Sequence, residues 1–104
     1  MNEKEQILKD AILQRKTVSL YYDAAEIRIC APFTLGISTA GNSVVRLWQL
    51  FGFSKTAEKL PCWRLFRVDK IENLVLMDQT FFEIPPGYNP NDRSMTEVKA
   101  FVPV

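Results

Sequence analysis

The chain has 104 residues, 47% of them hydrophobic, with 13 basic and 12 acidic side chains and a net charge of +1. That length suits one domain around one core, and the composition excludes wholesale disorder. The charge balance excludes a surface covered in nucleic-acid-binding cations but leaves room for a local basic patch.

Residues 3–15 read as a helix. Asn2 caps it, and Glu5 three positions on completes a capping box. Ile7, Leu8, Ala11 and Ile12 form an apolar stripe opposite Glu3, Lys4, Gln6, Lys9, Asp10 and Gln14. Such a stripe needs a partner surface, either the sheet that follows or the same helix of a second copy.

Residues 17–22 alternate Val18, Leu20 and Tyr22 with Thr17, Ser19 and Tyr21, the pattern of a strand. Residues 23–26 suit a hairpin turn. Residues 27–37 form a longer extended run. Within it Pro32 cannot donate to a ladder and marks an edge, a bend or a bulge, and Gly36 marks a second bend. A loop at 38–43 leads to a strand at 44–53, whose two faces both carry large apolar residues, as a central strand does. Residues 54–61, with Lys55, Glu58 and Lys59, read as an exposed loop.

Trp63-Arg64-Leu65-Phe66-Arg67-Val68 is the next strand, and Asp69-Lys70 is a tight bend or bulge. Residues 71–77 follow as a strand, Asp78-Gln79 turns the chain, and 80–84 is a short extended piece. Three prolines within 85–90 forbid a helix or a central strand there. Residues 91–96 are polar, and 98–104 packs back as a strand or an extended tail. One helix followed by five or more short strands predicts a mainly β domain spanning 1–104. The expected form is a small, bent antiparallel barrel with strands at about 17–84 and a C-terminal tail at 85–104.

No apolar run is long enough to cross a bilayer, and the polar start Met1-Asn2-Glu3-Lys4-Glu5-Gln6 lacks the apolar core of a signal peptide. A cytoplasmic protein without a membrane partner is expected. There is no histidine, which removes the commonest general base. Cys30 and Cys62 are too far apart for a metal motif and read as two reduced thiols in or near the core. Asp10, Asp23, Asp69 and Asp92 have no metal-site spacing, and Ser19 and Ser54 have no visible base. Neither catalysis, a metal nor a cofactor is expected.

Arg28, Arg46, Arg64, Arg67 and Lys70 lie on or beside predicted strands, which hold side chains in place better than loops do. Arginine offers a planar fork suited to phosphate. Arg64 and Arg67 point to opposite faces of a regular strand unless a bulge or rim brings them together. Strand register decides whether Arg28, Arg46 and Arg64 converge. Otherwise each pairs with a carboxylate such as Glu26, Asp69 or Glu72. Tyr21, Tyr22, Trp48, Phe53 and Trp63 either stack on bases or pack the core.

The segment Arg64-Leu65-Phe66-Arg67-Val68-Asp69-Lys70-Ile71 resembles the Arg-x-Phe-Arg-(aliphatic)-Asp-Arg-Ile strand of the WYL domain of bacterial transcriptional regulators, with Lys70 in place of the final arginine. Leu8-x-x-Ala11-Ile12 followed by Val18-Ser19-Leu20-Tyr21-Tyr22 is similar to that family's opening helix and first strand. Arg28-Ile29-Cys30-Ala31-Pro32 is similar to its Arg-x-(aliphatic)-x-Pro stretch. The resemblance covers about residues 5–84. The name-giving motif reads Trp48-Gln49-Leu50, so its tyrosine is replaced by Gln49.

The resemblance implies an Sm-like or SH3-like β-barrel that binds nucleic acid or nucleotide-like ligands, standing without the helix-turn-helix that usually precedes it. It assigns Arg64, Arg67 and Lys70 to the ligand surface, with Gln49 at the tyrosine position. Arg28 or Arg46 would complete the phosphate contacts. The leading expectation is a non-enzymatic sensor of single-stranded nucleic acid or a nucleotide. The alternative is a protein-interaction or self-assembly module that uses the helix stripe, the sheet edges or the 85–90 loop. Its partner would be a second copy or another protein.

Overall fold

The computed structural model describes residues 1–54 and 59–104. The loop expected at 54–61 therefore falls partly outside the described residues, Lys55 and Glu58 included. Helix α1 spans Glu3–Gln14. Its capping box forms as the sequence predicts: Glu5 N–H donates to Asn2 Oδ1 at 2.8 Å, and Asn2 N–H donates to Glu5 Oε1 at 3.2 Å. The remaining Glu5 oxygen accepts from Ser43 Oγ at 3.0 Å and Lys99 Nζ at 3.1 Å, so one carboxylate ties the helix start to two strands. Leu8, Ala11 and Ile12 are fully buried, so the helix stripe is used within the chain. Arg15 takes a left-handed conformation (φ 52°), which ends the helix and turns the chain directly into the sheet.

The strands are β1 (Lys16–Tyr22), β2 (Ile27–Ser38), β3 (Ser43–Gly52), β4 (Cys62–Arg67), β5 (Ile71–Thr80) and β6 (Met95–Phe101). They form one antiparallel sheet in the order β4-β3-β2-β1-β5, with β6 paired to β2. Thus β3 is a central strand, as its two apolar faces predict. β2 pairs with β1 through residues 27–30 and with β6 through residues 34–38, while β3 runs along it from 28 to 37.

Between those two halves lies a bulge. Pro32 faces Leu47 and Thr34 faces Arg46, leaving Phe33 as the extra residue. Pro32, having no N–H, is suited to the place where pairing is interrupted. Phe33 is fully buried, and its ring meets those of Trp63, Phe81 and Tyr88 at centroid distances of 5.3, 5.0 and 5.0 Å. A second register shift falls at Gly36, where a Cβ would overlap the Glu97 carbonyl of β6.

The chain leaves β4 through a 3-10 turn (Val68–Lys70) and enters β5, so this turn joins the two outermost strands of the sheet order. Asp23 N–H donates to Lys70 O at 3.1 Å and holds the turn against the end of β1. The sheet is strongly bent. Among the described residues β4 and β5 are not paired, so hydrogen bonding does not close it into a barrel.

Three boundaries differ from expectation. Asp78-Gln79 does not turn the chain, because β5 continues through both to Thr80. Two β1 residues there, Lys16 and Val18, face Thr80 and Leu76, so the irregularity is taken up as a bulge inside a continuing ladder. Of the 80–84 segment only Thr80 belongs to a strand. At the C-terminus, β6 begins at Met95, inside the stretch read as polar, because β2 offers it a free edge from Thr34 to Ser38. Residues 81–94 run over the sheet, held by side-chain bonds that include Trp63 Nε1–H donating to Pro86 O at 2.8 Å, Tyr88 O–H donating to Val102 O at 2.7 Å, and the pair of Arg46 with Asp92. Among the described residues no helix is long and apolar enough to cross a membrane.

Candidate functional site

Three polar residues from three adjacent strands meet on one sheet face. Cys30 of β2 faces Gln49 of β3, and Gln49 faces Cys62 of β4. Arg28 lies two residues before Cys30, and Arg64 two after Cys62, so alternation puts both on the Gln49 face. Arg28 Nη1 donates to Gln49 Oε1 at 3.3 Å, and Arg64 Nε donates to the same oxygen at 3.1 Å. The Gln49 amide nitrogen donates to Phe51 O at 3.3 Å and Phe53 O at 2.8 Å. Only this orientation works, because the carbonyls accept and the guanidiniums donate. Arg64 Nη2 also donates to Ser54 Oγ at 2.6 Å.

Arg28 is only 4% exposed and Gln49 is fully buried. The Arg28 guanidinium lies 5.7, 5.5 and 5.0 Å from the ring centroids of Tyr22, Phe53 and Phe66. Each such contact offsets about 0.5–2 kcal/mol of a buried cation's desolvation. No carboxylate of the described residues forms an ion pair with Arg28. Its Nε has no hydrogen-bond partner. Burial, and then the neighbouring Arg64 charge, lower the Arg28 pKa, though a guanidinium stays protonated through such a shift. Burial likewise pushes the Cys30 thiol up to about 12, which makes it inert. The site is a largely buried cluster in which two guanidiniums share one neutral acceptor.

The other expected site residues do not join this cluster. Arg46 lies on the opposite face and binds Asp92 through two bonds of 2.8 and 3.2 Å, with a third to Ser94 at 3.2 Å. Burial opposes ionisation of Asp92, but the bonds and charge of Arg46 outweigh it and hold the carboxyl below the usual range. Arg67 also points away from Arg64 and pairs with Asp69 at 2.7 Å in solvent. Lys70 sits exposed on the 3-10 turn. Of the aromatic candidates, Tyr22 and Phe53 line the Arg28 cage. Trp48 and Trp63 instead pack edge to face, centroids 4.9 Å apart.

Phe66 and Ser54 are parts of the site that sequence reasoning did not assign. Phe66 was detectable, because it shares the period-2 face of Arg64. Ser54 carried no signal. Among the described residues no group of three or more His, Cys, Asp or Glu side chains could hold a metal. A separate groove of about 530 Å3 is walled by Trp48, Leu50, Phe81, Phe82, Ile84 and Pro85. Comparisons with protein-family models, with curated proteins and with solved structures find no match to this chain.

Proposed function

We propose that this chain is a non-enzymatic regulatory module that senses a nucleotide-like ligand or a short piece of single-stranded nucleic acid. The observation that carries the reading is the Arg28–Gln49–Arg64 cluster, where two guanidiniums share one neutral oxygen and Arg28 Nε is left over. A phosphate group offers Arg28 what the Gln49 amide oxygen does not, namely full negative charge and several acceptors. The surrounding rings of Tyr22, Phe53 and Phe66 suit a flat base or sugar beside it.

A compact ligand fits better than an extended strand. A strand needs a row of unneutralised cations, whereas Asp92 and Asp69 neutralise Arg46 and Arg67. The WYL resemblance supports the same site, since Arg64 and the tyrosine-position residue Gln49 both belong to the cluster. On this reading the bent sheet and its 3-10 turn form an Sm-like or SH3-like barrel of a cytoplasmic bacterial transcription regulator.

Fluorescence polarisation with a labelled mononucleotide and short labelled single-stranded DNA and RNA tests the proposal. Saturable binding is expected, with a log–log salt slope of roughly −1 to −2 for about two engaged cations. Arg64→Ala should weaken it without unfolding the protein. Absence of binding even at low salt, or unchanged affinity in that variant, overturns the reading.

One observation favours a protein-interaction role instead. Phe82 is 74% exposed beside the apolar groove, and β4 and β5 both present unpaired edges among the described residues. The helix stripe drops out of that alternative because it is buried. Concentration-dependent assembly on a sizing column, with no nucleotide binding, would establish it.

A further inference from the structure

The apolar groove lies apart from the arginine cluster, for Arg28, Gln49 and Arg64 are not among its walls. Phe33 and Trp48 line it from the sheet, and the strap at 81–86 forms its other side with Phe81, Phe82, Ile84 and Pro85. At about 530 Å3 it has the size of a site for one small molecule. The strap is fixed at both ends. Phe81 N–H donates to Arg15 O at 2.9 Å, and Trp63 Nε1–H donates to Pro86 O at 2.8 Å. Between those points residues 82–85 make no hydrogen bond with the described residues. A wall pinned at its ends and unbonded between them can adjust to an occupant. Phe82 is 74% exposed, so the fold itself makes little use of its ring.

Among the described residues of the lining, Glu83 supplies the only charge, and no described cation forms an ion pair with it. Aromatic faces attract cations through their quadrupoles. Rings and one carboxylate in an apolar groove therefore favour the same occupant.

We infer that the groove is a second ligand site, for a small organic cation that carries an aromatic or alkyl group on an ammonium. The apolar part of the ligand lies against Trp48 and Phe82, and its ammonium is held by the charge of Glu83. The inference is independent of the nucleotide-binding reading. A second copy of the chain is a poorer occupant. In a two-fold contact the same lining meets itself, which sets Glu83 against a surface without a cation. An extended peptide is poorer too, because Pro85 and Pro86 have no N–H to give to an added strand.

Benzyltrimethylammonium, benzyl alcohol and benzoate place a positive, a neutral and a negative group on one ring. Each is titrated into the isotope-labelled protein and followed by NMR. The cation should shift the Trp48 indole N–H and the Phe82 amide saturably. Benzyl alcohol should bind at least about threefold more weakly, and benzoate more weakly still. Phe82→Ala and Glu83→Gln should each weaken cation binding about threefold. Both variants should unfold at the wild-type temperature, because both side chains are exposed.

Equal binding of the three probes, or wild-type affinity in Glu83→Gln, overturns the assignment of a cation. Saturable shifts that spare Trp48 and Phe82 overturn the site. Absence of saturable binding overturns the inference as a whole, and self-association abolished by Phe82→Ala would then make the groove a contact between copies. The nucleotide-binding reading stands or falls separately, on Arg64→Ala.

Discussion

Tyr22 and Phe66 stack face to face, with ring centroids 3.8 Å apart and planes 11° from parallel, although β2 and β3 lie between their strands in the sheet order. Two residues so placed can meet only if the sheet bends far enough to bring β1 and β4 together. The contact is reinforced at its rim, where Arg67 N–H donates to the Tyr22 hydroxyl at 3.1 Å. Both rings also face the Arg28 guanidinium, so the bend and the candidate site depend on the same pair.

Phe66→Ala should therefore destabilise the protein by about 3–5 kcal/mol, the range for deleting a buried aromatic ring. Tyr22→Phe keeps the stack and removes one partly exposed acceptor, and should cost only about 0.5–1 kcal/mol. Urea unfolding of the two variants measures both. Similar losses would mean that the hydroxyl, not the stack, holds the bend.

Gly36→Ala should detach β6. The added methyl meets the Glu97 backbone carbonyl, which cannot give way without loosening the β2–β6 ladder. A loss of about 2 kcal/mol or more is expected, with the fastest gain in hydrogen exchange at β6 amides such as Val98 and Ala100. An unperturbed β6 would show that the strand can shift sideways at little cost.

Arg28→Met should leave stability unchanged or raise it. A buried cation with no carboxylate ion pair among the described residues is a burden on the fold, and an apolar side chain of similar length suits the Tyr22, Phe53 and Phe66 rings. The same variant should lose phosphate and nucleotide binding. Thermal unfolding and calorimetry are the two readings. A strongly destabilised variant would mark Arg28 as a structural residue.

Stability should fall in acid through Asp92 and Glu5. Burial opposes ionisation of both. Arg46 outweighs it at Asp92, and Asn2 N–H, Lys99 and Ser43 outweigh it at Glu5, so both folded pKa values lie below the usual ones. A depressed folded pKa contributes stability that is complete above the unfolded value, about 4, and is lost as pH falls through the folded value. The protein should be at its plateau above about pH 5 and weaken below about pH 4. Asp92→Asn should lose about 2 kcal/mol at neutral pH and show a shallower acid slope. Denaturant midpoints measured across pH test this.

The two thiols should differ in reactivity. Cys30 is fully buried, with its pKa pushed up to about 12, whereas Cys62 is half-buried. A thiol reagent near neutral pH should spare Cys30 until the protein is unfolded. Rapid modification of Cys30 in the native state would show that β2 opens at the site.

Much of the fold was legible from neighbouring residues alone. The Asn2–Glu5 capping box, the apolar stripe at Leu8, Ala11 and Ile12, and the alternation of Val18, Leu20 and Tyr22 all report local periodicity and local hydrogen bonding. Pro32 announced a break in pairing because a missing N–H is a property of the residue itself. By itself the sequence thus determined one helix, the succession of strands and the kind of side chains on each face.

Which of those side chains meet was decided by tertiary structure. Arg28, Gln49 and Arg64 converge because the β2–β3 and β3–β4 registers set Cys30, Gln49 and Cys62 abreast, a choice made by whole strands rather than by any short stretch. Arg46 finds Asp92, 46 residues away, and no spacing rule links such a pair. Asp78-Gln79 carries turn residues yet stays in a strand, because β1 supplies a ladder that outweighs local preference. Local order depends on torsions and near neighbours, which the sequence states directly. A site built across three strands depends on register and bend, which exist only once the sheet has bent around its core.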